Sequence, residues 1–469
     1  MSEPERIPVH TFAPAEVGEL DLYQKRERIY TRKVEGFFQR LRLYTGWPLL
    51  LGYFCVPWLN WDGRQAVWFD LPGRKFHILG LTFWPQDFPL LAWLLIIAAF
   101  SLFTVTVFAG RVWCGYTCPQ TVWTSIFMWA EQVTEGTRNQ RMRLDQGPWN
   151  ANKILRKSAK HSLWFGVAGA TGITFVGYFS PIRELVVALP TFTANIQEAS
   201  WSLFFTLATY INAGWMREQV CMYMCPYARF QSVMFDHDTL IVSYDRARGE
   251  PRGSRKHGTA AREGLGDCVD CQLCVQVCPT GIDIRNGLQY QCIGCALCID
   301  ACDSVMDRMG YAKGLVRYTT ENALLGKPSR LLRPRLVGYI TAVVLMIGLF
   351  ITVLLSRVSV GVEAIRERGQ LYREMSDGSI ENVYTLKLRN TSQDAQRVHL
   401  RVEGVEGLEF LGDTRPELAA GEVMALPVSV RAPHGAVRGG KDIVFVIETE
   451  GSREEQARAE SRFLAPAGP

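Results

Sequence analysis

Five uncharged, apolar stretches stand out along this chain, at residues 43–61, 88–110, 162–180, 199–216 and 336–356. Each is close to the ~20 residues that carry a helix across ~30 Å of hydrocarbon, so the pattern predicts an α-helical membrane bundle of about five spans. Leu, Ile, Val and Phe fill the second and fifth stretches. The first contains Pro48 and Pro57, which also fits a re-entrant or interfacial segment, and the fourth is short. Beyond residue 357 the period shortens to two. Tyr384–Arg389, Val398–Val402, Met424–Val430 and Ile443–Ile447 alternate apolar and polar positions between Gly, Asn and Asp turn residues. That predicts an antiparallel, Ig-like β-sandwich of about seven strands.

Charge sorts the connecting segments. Basic residues crowd the N-terminal segment (Lys25, Arg26, Arg28, Arg32, Lys33, Arg40, Arg42) and the connection between the second and third stretches (Arg138, Arg141, Arg143, Lys153, Arg156, Lys157, Lys160). They also crowd the connection between the fourth and fifth (Arg246, Arg248, Arg252, Arg255, Lys256, Arg262, Lys327, Arg330, Arg333, Arg335). The connections near 62–87 and 181–198 balance their few basic residues with acids. All basic segments fall on one side only if five spans are counted, and the basic side is the cytoplasmic one. The predicted order is a cytoplasmic N-terminal segment 1–42, a four-helix membrane region 43–235, a cytoplasmic insert 236–334, a fifth span 335–357 and an outer β domain 358–469. A mean hydropathy near zero with 21% charged residues agrees with a mixture of membrane and soluble parts. A net charge of only +5 gives no reason to expect nucleic acid. The N-terminus lacks the apolar core and cleavage site of a signal peptide and is expected to be retained.

Eight of the thirteen cysteines lie in the insert, as Cys268-x2-Cys271-x2-Cys274-x3-Cys278-Pro279 and Cys292-x2-Cys295-x2-Cys298-x3-Cys302. Three thiolates at this spacing wrap three irons of a cubane, and the fourth iron is reached from elsewhere. In two-cluster ferredoxins the fourth cysteine of each run crosses to the other cluster. The spacing therefore predicts a ferredoxin-like α+β insert with two [4Fe–4S] clusters. One is held by Cys268, Cys271, Cys274 and Cys302, the other by Cys292, Cys295, Cys298 and Cys278. Zinc needs only four ligands in pairs, and disulfides do not suit a reducing cytosol. Asp303, not proline, follows the second run, which removes no ligand.

Four more cysteines form a second repeat. Cys114-Gly-Tyr-Thr-Cys118-Pro119 follows the second apolar stretch and Cys221-Met-Tyr-Met-Cys225-Pro226 the fourth. The same offset aligns Trp123 with Phe230 and Ser125 with Ser232, which reads as an internal duplication of helix pairs. If the helix continues through each motif, cysteines four apart share a face, and the proline limits or kinks that helix. Three chemistries suit these thiols. They are Cu(I) binding, helped by the thioethers of Met222 and Met224, dithiol–disulfide cycling, and plain burial as small apolar side chains. Cys55 is expected to pack. Asp236, His237 and Asp238 are weaker cation candidates, His161 reads as an interfacial residue, and Glu184 and Glu198 offer carboxylates on the outer side.

The cysteine runs of the insert, the string Cys221-Met-Tyr-Met-Cys-Pro-Tyr-Ala-Arg-Phe-Gln, and the order of spans, insert, last span and β tail closely resemble the CcoG/FixG/RdxA family over essentially the whole chain. The resemblance implies an accessory protein of cbb3-type cytochrome c oxidase in the bacterial inner membrane. Its activity is then that of a cupric reductase, preparing Cu(I) for the oxidase's catalytic subunit. Copper is implied as substrate or transient ligand near Cys114, Cys118, Cys221, Met222, Met224 and Cys225. Oxidase subunits or copper-delivery proteins are the implied partners. Two other functions remain open: a quinol dehydrogenase whose Cys-x3-Cys-Pro helices frame a quinol site, and a non-catalytic assembly scaffold working through the β tail. No G-x-G-x-x-G fingerprint of a nucleotide cofactor occurs, so an external electron donor is required.

Overall fold

The computed structural model describes residues 28–255, 264–330, 332–392, 394–450 and 455–466. Lys25, Arg26, Lys256 and Arg262 of the basic segments, and the side chain of Ser232, lie outside the described residues.

All five apolar stretches form helices, several with shifted ends. The first runs Phe37–Cys55 rather than 43–61. Asp300 sets its start: the carboxylate accepts from the Phe38 and Gln39 N–H groups at 3.1 and 2.7 Å, satisfying donors that a helix N-terminus leaves orphaned. Pro57 ends it in the 3₁₀ turn Val56–Trp58. The third helix, Ala151–Val176, begins early because Asn150 caps it, accepting from Lys153 N–H at 2.8 Å. Lys153, Arg156, Lys157 and Lys160 therefore lie on its first turns rather than in a loop. The fourth, Ile196–Thr209, continues as a π-helix over Tyr210–Met216. Among the described residues two helices are long and apolar enough to cross a membrane, Pro85–Ala109 and Pro334–Leu355.

These two helices pack against each other, and an arginine ties each end of the pair. Arg357 pairs with Asp87 at one end; at the other Arg333 donates to Val107 O and also pairs with Asp236, outside the two helices, at 2.7 Å. Other long-range ties respect the same two ends. Lys75 Nζ donates to Gly421 O at 2.9 Å and Phe69 N–H to Tyr178 O at 2.8 Å, joining the 62–87 and 177–195 connections and the β tail. At the opposite end Arg32 N–H donates to Gln276 O at 2.8 Å and Arg28 pairs with Asp145 at 2.7 Å. The basic segments thus share one end of the molecule.

The tail is a sandwich of two antiparallel sheets. In one, Ile380–Asn390 lies between Val360–Arg366 and Val423–Ala432, with the short Glu409–Leu411 and Arg373–Glu374 strands at the margins. In the other, Gln396–Glu403 and Gly440–Thr449 are central, flanked by Glu417–Leu418 and Gln456–Leu464. Alternate side chains fill the space between: Tyr384, Leu386 and Leu388 from one face, Leu400, Phe445 and Ile447 from the other, all buried. The Tyr384 and Phe445 rings meet edge to face with centroids 5.0 Å apart. In the insert, Ile241–Tyr244 pairs antiparallel with Val316–Thr319 and closes the cysteine-bearing segment between them.

The helix Pro119–Glu135, which follows the first Cys-x3-Cys-Pro motif, carries Glu131, 0% exposed. Its carboxylate accepts from Arg28 at 2.8 Å, Arg141 at 2.8 Å and Arg217 at 2.5 Å. Burial alone raises its pKa, but the guanidiniums of Arg217, Arg28 and Arg141 outweigh that and hold it at about 2. Glu131→Gln strands buried cations and should cost about 3–5 kcal/mol, measured as a lowered thermal unfolding midpoint. The folded value lies below the ordinary 4.5, so the stabilisation is present above that pH and fades as pH falls toward 2. Wild type and Glu131→Gln should converge across that window. Equal midpoints at neutral pH contradict the assignment.

Candidate functional site

The two cysteine runs surround neighbouring cavities. Cys268, Cys271, Cys274 and Cys302 line one. Cys278, Cys292, Cys295 and Cys298 line another, which Cys274 also touches. Cys302 of the second run thus lies with the first three cysteines of the first run, and Cys278 of the first run with those of the second. Each run turns at the residue after its second cysteine: Gln272 and Ala296 take left-handed backbone, φ 56° and 59°, and open the helices Leu273–Gln276 and Leu297–Met309. Burial pushes the thiols of Cys274, Cys292 and Cys302 up to about 12 and raises those of Cys295 and Cys298. Thiolates in such surroundings need a cationic partner, and the remaining wall of the second cavity is Val242, Thr280, Ile282, Ile284, Ile293 and Ala296. Soft thiols around an apolar volume fit an iron–sulfur cluster. Among the described residues no three Cys, His, Asp or Glu side chains gather as closely as a single bare ion requires.

The Cys-x3-Cys-Pro motifs are built alike, and not on continuous helices. Phe88–Ala109 ends at Gly110 (φ 56°, ψ −120°) and the Tyr210–Met216 segment at Arg217 (φ 48°, ψ −112°), each four residues before the motif's first cysteine. A helical turn follows, and the last cysteine closes it with an i→i−5 bond: Cys118 N–H to Trp113 O and Cys225 N–H to Val220 O, both at 2.9 Å. A residue before proline is driven out of helical backbone. Cys118 and Cys225 accordingly take ψ of 127° and 110° and start new helices, Pro119–Glu135 and Pro226–Val233. The expected shared helix face is corrected by this break.

A swapped pair of glutamines ties the two turns together. Gln231 Nε2 donates to Gly110 O and Gln120 Nε2 to Arg217 O, each at 3.1 Å. Cys114 Sγ donates to Gln231 Oε1 at 3.6 Å. Burial pushes Cys114 and Cys221 up to about 12, and neighbouring thiols push further: Cys118, Cys221 and Cys225 act on Cys114, and Cys118 and Cys225 on Cys221. The two turns thus lie near enough for their thiols to act on one another. Met222 is half-buried and Met224 is exposed beside them.

The two groups of cysteines are in contact. A Cβ on Gly115 would stand 2.8 Å from both Cys295 Cα and Gly294 O, and one on Gly294 (φ 64°) would stand 3.2 Å from the Arg111 backbone. Cys114 packs with Val277, Ile293, Cys295 and Leu297. Arg111, 8% exposed, spans the junction: its guanidinium donates to Tyr290 O, to Cys292 O at 3.2 Å and to Ala228 O at 3.0 Å. Arg42 Nε donates to Gly115 O at 3.0 Å and Tyr318 OH to Gly294 O at 2.6 Å.

Sequence reasoning passed over Arg111, Gln120, Gln231 and Asp300; the repeat offset, extended upstream to Gly110 and Arg217, was the one signal pointing toward them. The weaker candidates have other tasks. Asp236 pairs with Arg333, His237 Nδ1 contacts Glu321 at 2.8 Å, and Asp238 accepts from Asn322 at 2.8 Å, bracing a loop. His161 Nδ1 meets the Tyr210 hydroxyl at 2.7 Å. Glu198 caps its own helix at the Asn195 N–H, 3.3 Å away. Cys55 is exposed rather than packed.

A family model described as a 4Fe-4S dicluster domain matches residues 216–321, and one described as an IG-like fold at the C-terminal of FixG matches 350–466. The chain is 38% identical to the nitrogen fixation protein FixG of Rhizobium meliloti (strain 1021), over 95% of this chain and 94% of that protein. Protein RdxA of Cereibacter sphaeroides is 41% identical over 89% of each chain. Protein RdxB of the same organism is 40% identical over 88% of this chain and 91% of its own length.

Gly115→Ala should force the cysteine loop away and cost about 1–3 kcal/mol through overpacking, with iron per chain falling alongside the unfolding midpoint. Gly166→Ala, where an added Cβ meets nothing within 4 Å, should leave both unchanged or slightly raised. Identical behaviour of the two variants contradicts the close contact.

Proposed function

The chain belongs to the FixG/RdxA family of iron–sulfur proteins, and we propose that it is a membrane-anchored cupric reductase that supplies Cu(I) for assembly of cbb3-type cytochrome c oxidase. The observation that carries this reading is the backbone contact between Cys114–Gly115 and Gly294–Cys295. It brings Cys114, one of the four soft ligands, against the wall of the second cysteine cavity.

Cys268, Cys271, Cys274 and Cys302 hold one [4Fe–4S] cluster and Cys278, Cys292, Cys295 and Cys298 the other. These groups supply single electrons. Cys274, which borders both cavities, keeps the two sites adjacent. Cu(II) is received among Cys114, Cys118, Cys221 and Cys225, which stand farther apart than a single ion requires and draw in around it. They give up their protons and as thiolates favour the softer Cu(I). Each copper ion takes one electron. Gln231 orients Cys114 through its side-chain oxygen. Exposed Met224 and half-buried Met222 offer a first landing point for copper arriving from a delivery protein, or leaving toward an oxidase subunit.

The same reading takes all five apolar helices as spans of a bacterial inner membrane, with the insert in the cytoplasm and the β-sandwich in the periplasm. Outward-facing Leu43, Trp47, Leu51, Phe165, Leu203 and Phe204 on the first, third and fourth helices support it, as does the gathering of basic segments at one end.

Anaerobic titration of the reduced, detergent-solubilised protein with Cu(II) should return one Cu(I)–chelator complex for each cluster electron lost from the EPR spectrum. Cys114→Ser with Cys221→Ser should keep the iron content and drop Cu(I) formation to background. Cys278→Ser should disturb the same cluster signal as Cys298→Ser, and Cys302→Ser the same as Cys268→Ser. Copper reduction that survives the double variant, or iron near zero in wild type, overturns the reading.

A further inference from the structure

We propose that electrons enter this chain from a membrane quinol, bound in a cavity between the inner end of the second apolar helix and the cysteine-bearing insert. The inference deepens the reading above, and rests on its assignment of a cluster to Cys278, Cys292, Cys295 and Cys298. It places the quinol at a different location from the Cys-x3-Cys-Pro thiols, which stay free for copper.

The cavity has a volume of about 250 Å³ and begins at Ala109, the last residue of the Phe88–Ala109 helix. Its depth is therefore the boundary of the apolar layer, where a lipid-soluble molecule can reach it without leaving the bilayer. Phe235, Leu240, Ile241, Val242 and Leu288 make the walls apolar. Leu288 and Tyr290, 42% and 38% exposed, stand at the mouth. Polar groups are few and gathered together: the Arg111 guanidinium lies 5.0 Å from the Tyr290 ring centroid, and the Tyr318 hydroxyl projects from the adjoining strand. A flat ring with an oxygen at each end and an isoprenoid tail matches that combination of apolar walls and a few convergent polar groups. The Arg111 and Tyr318 donors are taken by backbone carbonyls, and the Tyr318 hydroxyl oxygen can accept from a quinol O–H. What makes the cavity more than a lipid crevice is Cys292, a cluster ligand in the reading above, which forms part of the wall.

The electron count closes. One quinol loses two electrons and the protons of its two O–H bonds, leaving the quinone. The protons pass to water at the mouth beside Tyr290. The cysteines of the insert would hold two one-electron carriers, enough to accept both electrons, and two Cu(II) ions would leave as Cu(I).

The test uses the full chain in lipid nanodiscs without oxygen, with 2,3-dimethyl-1,4-naphthoquinol as reductant and 2-heptyl-4-hydroxyquinoline N-oxide as a fluorescent binding probe. In wild type the naphthoquinol should reduce iron absorbance that dithionite also reduces, in the absence of copper. The N-oxide should bind one per chain and block that reduction. Leu288→Glu, which puts a charge at the mouth, and Ala109→Phe, which fills the cavity, should each weaken probe binding by about tenfold or more. The dithionite-reducible signal of each variant reports whether its clusters assemble. The proposal is overturned if wild type shows that signal but binds no probe, if both variants bind the probe as tightly as wild type, or if bound phospholipid cannot be displaced by the naphthoquinol. Absence of a dithionite-reducible signal from wild type instead overturns the cluster reading beneath it.

Discussion

Between the Cys114–Gly115 turn and the Gly294–Cys295 loop the backbones come so near that Gly115 has no room for a side chain. Electron tunnelling weakens steeply with distance, so a contact of this kind decides which sites can exchange electrons. The rest of the junction holds it shut. Arg111 spends its guanidinium on three carbonyls, two in the cysteine loop and one in the helix after the second motif. Asp300, between two cysteines of the second run, caps the first apolar helix. Losing any of these leaves a buried polar group without its partner, which is why the insert docks in one pose rather than swinging on its connections.

The duplicated motif adds a second constraint. Each copy leaves its helix through a backbone conformation natural to glycine, but only the first copy has one there. Arg217 adopts it at φ 48°, which for a side chain this large costs on the order of 1–3 kcal/mol. Its guanidinium repays the strain through Glu131 at 2.5 Å and the carbonyl of Gly214 at 2.9 Å. The two thiol pairs are therefore alike in backbone and different in support: the first leans on the insert, the second on a buried ion-pair cluster that also gathers Arg28 and Arg141.

The parts of this architecture that depend on local spacing were legible from the sequence. Thiols three and four positions apart reach one cavity only by turning tightly, as the chain does at Gln272 and Ala296. The four alternating runs of the tail became strands because a period of two leaves one face to bury. Helix ends were not legible, since their caps come from far along the chain: Asp300 lies 262 residues from Phe38. The shape of the Cys-x3-Cys-Pro motifs was left between a shared helix face and a break at the proline, and the break prevails because proline acts on the residue before it and ends the helix at the second cysteine. Arg111, Gln120 and Gln231 make their bonds across the repeat, so nothing in their immediate neighbours marks them.

The central claim is that the cluster held by the second run sits against the four membrane-side thiols. Co(II), which thiolates bind and reduced clusters do not reduce, tests this directly through the spin relaxation of the reduced protein. One of the two cluster signals, the one removed by Cys298→Ser, should relax faster and broaden when Co(II) binds, and should recover in the Cys114→Ser, Cys221→Ser variant. Bound Co(II) that leaves both cluster signals unchanged would contradict the account.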